Sequence, residues 1–167
     1  MSFENPSINV EQLPQIEQVE FEPLERDYLY MKLTGWGLFF FLLAGVLVVL
    51  VFTTNIAAWL YFLPWLIVFA LIYIVQFVGF KIKGYALREK DVSYKTGLIW
   101  FSITSVPFNR IQHCEINQGP LGRLFNLASV KVYTAGGSSS DLSVNGLTKE
   151  RAIQLRDYIT RLTAEHV

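Results

Sequence analysis

The sequence predicts a membrane α-helical hairpin followed by a small α+β domain, an antiparallel β sandwich or barrel capped by one C-terminal helix. Three observations predict it. Leu33–Phe80 runs for 48 positions without Asp, Glu, Lys or Arg. Beyond Lys83-Gly84, apolar and polar residues alternate in short runs separated by turn residues, which is the period of antiparallel strands. From Thr148 the apolar residues step by three and four, the period of an amphipathic helix. The 167 residues therefore divide into an acidic arm and interfacial segment over 1–32, the hairpin over 33–80 and the domain over 84–167.

The arm carries seven acids up to Asp27 against one base, Arg26. Pro6, Pro14 and Pro23 interrupt it, and its apolar residues are sparse. A disordered arm and an extended arm docked on the domain both fit this composition. Tyr28, Tyr30 and Lys32 stand where interfacial aromatics and a cationic anchor belong.

In the hairpin, the apolar blocks over 33–53 and 57–80 each reach the roughly 20 residues needed to cross a bilayer core of about 30 Å. Thr53-Thr54-Asn55 between them has room only for a tight turn. Small residues let helices approach closely in lipid. Gly45 is the packing candidate of this kind, while Gly35 and Gly37 read as ordinary membrane-helix glycines. Gln76 is the other packing candidate, as the one Asn or Gln inside either block. It lies five residues before Lys81, about 7–8 Å along the axis, and so near the headgroups. Trp59 and Tyr61 suit an aromatic belt at the turn side. Pro64 is expected to kink or restart the second helix. The turn has no base, whereas Arg26 and Lys32 flank one outer end and Lys81, Lys83, Arg88 and Lys90 the other. The positive-inside bias puts both outer flanks and both termini in the cytoplasm.

In the domain, Val92 and Tyr94 alternate with Asp91, Ser93 and Lys95, and Lys95-Thr96-Gly97 signals a turn. Ile99, Phe101 and Ile103 are expected on one strand face, with Trp100, Ser102 and Thr104 on the other. Strands follow over Ile111–Ile116, around Val130 and Val132, and over Leu142–Val144. The last two are joined by a hairpin turn over Ala135–Ser140. Thr148 can cap the final helix, and Glu150 suits the positive end of its dipole. Ala152, Leu155, Ile159 and Leu162 form the stripe that must cover the sheet.

Local strings add a family resemblance. Val106-Pro107-Phe108-Asn109-Arg110-Ile111-Gln112 resembles the "iPxxrIQ" segment of bacterial pleckstrin-homology domains. Leu121-Gly122-Arg123-Leu124-Phe125-Asn126-Leu127-Ala128 resembles "lxRxxGla", with Asn126 where glycine is usual. Val132-Tyr133-Thr134-Ala135-Gly136 resembles "vxTaG". The hairpin, preceded by Pro23-Leu24 and Tyr28, is similar to that of the YdbS-like membrane proteins. The resemblance covers about residues 20–165. It implies a pleckstrin-homology-like fold in a multi-pass protein of the bacterial cytoplasmic (inner) membrane. It also implies a protein partner: many such proteins are encoded beside a longer paralogue that repeats the hairpin and domain. A homo-oligomer is the other association expected.

Reactive constellations are not expected. Cys114 is the single cysteine, and the adjacent His113 would point to the opposite strand face. His166 is the only other histidine, so the ligands a zinc site needs are missing. Ser138–Ser140, Ser143, His113 and Asp141 lack a nucleophile elbow. Gly119–Arg123 lacks the Gly-Lys-Ser/Thr ending of a phosphate loop. Nucleic acid is not expected either: aromatics concentrate in the hairpin, and the basic excess is small. No cofactor, metal or catalysis is expected.

What remains is cations. Lys81–Val167 holds twelve bases against seven acids, although the whole chain is formally neutral. Lys81, Lys83, Arg88, Lys90 and Lys95 are candidate headgroup or partner contacts, with ordinary anchoring as the plainer role. Arg110, Arg123 and Lys131 come with the family strings, and an Arg in such a motif is expected to fix a loop through a carboxylate or carbonyl. The function expected is a non-catalytic membrane adaptor or scaffold that presents the domain to a protein partner or to anionic lipid headgroups. The alternative is a subunit of an oligomeric transport or channel assembly, with Gly45 and Gln76 facing the assembly.

Overall fold

Two long antiparallel helices project from one end of a small β domain. The structure, a computed structural model, describes residues 19–54, 56–135 and 140–165, with side chains through Thr163. The arm before Val19, the turn residue Asn55, the hairpin tip at 136–139 and His166 lie outside the described residues.

Helix α1 spans Arg26–Thr53 and α2 spans Trp59–Ile82. At 1.5 Å per residue they measure about 42 and 36 Å, enough to cross a bilayer core. The first begins seven residues before the uncharged block. Nothing after Pro23 breaks a helix, and the extra turns carry Tyr28 and Leu29, both buried, Tyr28 in the domain's core. At the far end Thr53 Oγ1 donates to the Val49 carbonyl (3.1 Å) and Thr54 Oγ1 to that of Leu50 (2.8 Å). Thr54 Oγ1 also meets Tyr61 Oη at 3.0 Å across the turn. The hydroxyls thereby find acceptors on carbonyls of the last turn, so neither is left unpaired at a membrane helix end. The expected restart at Pro64 does not occur. Pro64 falls in the second turn and the helix continues through it; beyond it Trp65 and Phe69 pack on Phe40 of α1 at ring distances of 6.0 and 5.2 Å.

Within the hairpin, close approach falls at Gly37 and not at Gly45. A Cβ at Gly45 would meet nothing within 4 Å, whereas one at Gly37 would come within 2.9 Å of Tyr73 Oη. That hydroxyl donates to the Leu33 carbonyl at 2.9 Å. Gly37 is therefore the residue that admits a cross-helix hydrogen bond, and elsewhere the seam is aromatic. Composition alone cannot separate these glycines, because only Gly37 lies opposite a side chain with a donor.

Strands β1 (Glu22–Pro23), β2 (Gly84–Leu87), β3 (Asp91–Thr96) and β4 (Ser102–Pro107) form one antiparallel sheet in that order. A single 3-10 turn, Phe108–Arg110, leads to β5 (Ile111–Asn117). Short helix α3 (Pro120–Leu124) links it to β6 (Leu127–Thr134), and β7 (Leu142–Thr148) completes the second antiparallel sheet. Helix α4 (Lys149–Glu165) closes the sandwich. Thr148 Oγ1 accepts from the Arg151 amide at 3.1 Å, as a cap should. The stripe Ala152, Leu155 and Ile159 is buried, with Leu162 partly so, against Val92, Phe108, Val130, Val132, Val144 and Leu147. Alternation on β3, β6 and β7 placed Val92, Val130, Val132, Leu142 and Val144 correctly.

Three local findings refine the expectations. The described end of the arm is an edge strand, docked on β2. Strand β4 begins only at Ser102, so Ile99, Trp100 and Phe101 stand outside it. Gly97 turns the chain with φ at +99°, and the four residues after it leave the ladder before pairing resumes. Asn126 adopts φ +52°, the left-handed region in which a glycine is unstrained and asparagine is the best-tolerated substitute. Asn126 Nδ2 donates to Glu150 Oε2 at 3.3 Å. Replacing Asn126 with Ala should cost about 1–2 kcal/mol, read as a lower melting temperature in mild detergent, while Asn126→Gly should be close to neutral. Equal melting of the two variants would contradict the backbone explanation.

Candidate functional site

The junction between hairpin and domain is built from both. Strand β1 enters the hairpin and β2 leaves it, and they pair Glu22 with Tyr85 and Pro23 with Gly84. Leu24 and Tyr28 are members of the domain's core cluster. The Glu25 amide donates to the Gly146 carbonyl at 3.1 Å. Gly146 holds φ at +73°, and a Cβ there would lie 2.7 Å from Tyr28 Cγ. Only glycine permits this approach. The Tyr28 ring faces two ammonium groups, Lys32 and Lys83, each 5.6 Å from its centroid. Burial, then repulsion from Lys32, pulls the Lys83 ammonium below its ordinary pKa.

An ion-pair clamp ties the arm to α4. Tyr85 Oη donates to Glu22 Oε2 at 2.6 Å, Arg151 Nη2 donates to the same oxygen at 2.9 Å, and Arg151 Nε donates to Tyr85 Oη at 3.2 Å. The Tyr85 hydrogen bond, ahead of Arg151, holds the Glu22 carboxyl below the usual carboxylate range.

The cations expected to act together are divided. Lys81, Lys83 and Lys95 lie at the hairpin end; Lys81 lies over Phe77 at 4.9 Å and Lys95 over Phe21 and Phe101 at 5.5 Å each. Arg88 and Lys90 occupy the β2–β3 turn, at the opposite end of β2 from the helix. They are sequence neighbours of the membrane anchors but spatially apart from them, because β2 carries the chain away. Arg88 is paired with Asp91, Nε to Oδ1 at 2.7 Å. Arg110 follows on the same side, where the Phe108 amide bonds the Lys90 carbonyl at 3.0 Å. Arg123 is in α3 beside α1. Neither Arg110 nor Arg123 fixes a loop: both are exposed, and neither guanidinium has a partner among the described residues. The loop after β5 is held instead by Gln118 Nε2, which donates to the Leu127 carbonyl at 3.0 Å. Lys131 stands in register between Glu115 and Ser143. Gln76 borders a cleft of about 280 Å³ with Gly79 and the β3–β4 loop.

Cys114 packs against the core, and burial pushes its thiol up to about 11, leaving it protonated at neutral pH. His113 lies on the outer face, stacked on Tyr133 at 4.4 Å. Asp141 accepts from the Thr134 amide (2.8 Å) and hydroxyl (2.7 Å) and so braces the β6–β7 hairpin. Among the described residues no cluster of three His, Cys, Asp or Glu side chains could hold a metal. The seam itself leaves an apolar cavity of about 320 Å³ lined by Tyr28, Met31, Leu121 and Leu127.

A membrane hairpin feeding a two-sheet sandwich closed by a C-terminal helix defines a membrane protein with a pleckstrin-homology-like domain. The chain belongs to the bacterial PH domain family, whose pattern matches residues 37–163. It is 35% identical over 91 residues to the UPF0699 transmembrane protein YdbS of Bacillus subtilis (strain 168), a match covering 54% of this chain and 55% of that protein. The match thus spans about half the relative's length. A crystal structure of a DUF1696 family protein with a pleckstrin-homology domain from Shewanella loihica PV-4 aligns over 48% of this chain and 70% of its own, at 22% identity and a TM-score of 0.36.

Two outcomes follow from this geometry. Gly146→Ala should lower the melting temperature more than Asn126→Ala, because it adds a clash with Tyr28 to the backbone strain; an unchanged melt would refute the seam. The Glu22 contribution is present above the ordinary carboxylate pKa of about 4.3 and is lost as pH falls through its lower folded value. The melting difference between wild type and Glu22→Gln should therefore shrink on acidification, and a difference that grows would contradict the clamp.

Proposed function

We propose that the chain is a non-catalytic adaptor of the bacterial cytoplasmic membrane, with both termini in the cytoplasm, whose pleckstrin-homology-like domain docks a second membrane protein. One observation carries this reading: Tyr28 of the first membrane helix lies in the domain's own core. A domain seated in this way cannot swing freely, so its outer surface is offered in one fixed orientation. Rigid presentation lowers the entropy cost of docking. The distribution of bases supports the orientation.

The cations argue for protein ahead of lipid as the main ligand. Lys83 is half-buried on Tyr28, and Arg88 is paired with Asp91, so neither is free for a headgroup. Lys81, Lys95 and Arg123 remain for anionic headgroups at the hairpin end. The far half of the β5–β7 sheet offers Tyr133 stacked on His113, with Tyr133 Oη donating to Glu115 Oε2 at 3.1 Å and Lys131 alongside. A partly exposed aromatic ringed by both charge signs suits a protein contact. The family resemblance suggests a longer relative with repeated domains as the partner.

A photo-crosslinking residue at position 133, in the full chain in native membranes, tests this. Adducts identified by mass as a PH-domain membrane protein or a second copy would support docking. A chain that yields no adduct there, stays a monomer in mild detergent and retains no anionic lipid would overturn the reading.

A further inference from the structure

Six large apolar side chains crowd the hairpin end of the domain without burying one another. Ile99, Trp100 and Phe101 of the β3–β4 loop are 71%, 84% and 61% exposed, and Leu98 39%. Leu121 and Leu124 of α3 are exposed at 36% and 80%. Domains in water rarely leave such a group uncovered. The Gly97 turn produces the first set: a Cβ there would lie 1.6 Å from the Trp100 carbonyl oxygen, so the loop folds tightly back on itself and the side chains point outward.

Their depth is fixed by contacts with the two helices. Leu98 Cβ lies 3.7 Å from the position a Cβ would take on Gly79. Gly79 is two residues inside Lys81 and four inside Lys83, about 3 and 6 Å along the axis. The loop borders Gln76 and Val75 as well, a turn deeper. Leu121 Cδ1 meets Gly35 in the same manner at 3.5 Å, and Gly35 is three residues inside Lys32, about 4.5 Å. The β3–β4 loop and α3 thus touch two separate helices just inside the cations that end them, and the loop reaches on to Gln76 and Val75, five and six residues inside Lys81. That is the headgroup–acyl boundary, where tryptophan concentrates and where amphipathic segments settle about 5–10 Å deep. Lys95 at the loop's base lies over the Phe101 ring at 5.5 Å, a stem along apolar surface with its charge placed to reach water.

We propose that Leu98–Phe101 and α3 residues Leu121 and Leu124 insert into the leaflet that the Lys32 and Lys83 ends of the hairpin cross, so that the occupant of this apolar face is lipid and the domain is seated in the membrane surface. This rests on the membrane-spanning reading of the hairpin, and goes beyond the partner proposal, which concerns the opposite end of the domain.

The test uses the full chain in nanodiscs at one copy per disc, in a Cys114→Ser background. Nitroxides are placed through Trp100→Cys, Leu124→Cys, Asn109→Cys and Val48→Cys. Collision with oxygen, which partitions into lipid, is compared with collision with a water-soluble nickel chelate. Positions 100 and 124 should favour oxygen, as position 48 does, and position 109 should favour nickel. If position 48 favours oxygen while 100 and 124 favour nickel, the wedge is overturned and the hairpin stands. If position 48 also favours nickel, the membrane-spanning reading falls first and the wedge with it. Low access to both reagents at position 100 would mean that protein covers the loop, which also overturns the proposal.

Discussion

The structure depends on one constraint: the two chain segments that bracket the membrane hairpin pair with each other. Strand β1 leads into α1 and β2 leads out of α2, and their antiparallel ladder closes the hairpin at its base. Tyr28 locks that closure, because it lies in the first turn of the helix and already inside the domain's core. No flexible linker separates membrane part from soluble part; Lys83 alone stands between α2 and β2. The orientation of the domain on the helices, and the face it presents away from them, follow from this closure.

Magnitudes show which contacts hold it. Burying a large apolar side chain contributes about 2 kcal/mol, and Leu24 and Tyr28 supply two such bodies. The Glu22–Arg151 pair is about half exposed on both sides, where ion pairs contribute roughly 0–1 kcal/mol. Packing therefore sets the seat, and the clamp sets the register of β1 on β2. The two lysines over Tyr28 act differently again. Each sets an ammonium 5.6 Å from the ring centroid, a cation–π contact that adds to the packing.

Much of this was legible in the residues. Charge-free blocks revealed the hairpin, period-two runs the sheets, and a three-four stripe the closing helix. Asn126 stood out in the sequence only as a departure from glycine; its left-handed backbone, φ +52°, is what the family's glycine and this asparagine share a tolerance for. What failed has physical causes. Ile99 and Phe101 alternate like strand residues, but the Gly97 turn removes them from the ladder, and alternation does not distinguish a core face from a lipid-facing loop. Arg88 and Lys90 neighbour the anchors in sequence, but four residues of β2 carry them to the other end. Gly45 and Gly37 look alike in composition, and only Tyr73, 36 residues beyond Gly37, separates them. Tyr28 as a core residue was hidden because an aromatic at a helix start is also what an interfacial anchor looks like.

Hydrogen exchange of the full chain in lipid nanodiscs tests the central claim most directly. If hairpin and domain share one core, the amides of Glu25 and Tyr28 should exchange as slowly as those of Val130 and Val144 in the middle of the second sheet. Fast exchange across Glu22–Tyr28, with Val130 and Val144 still protected, would show a hinged tether and contradict the account.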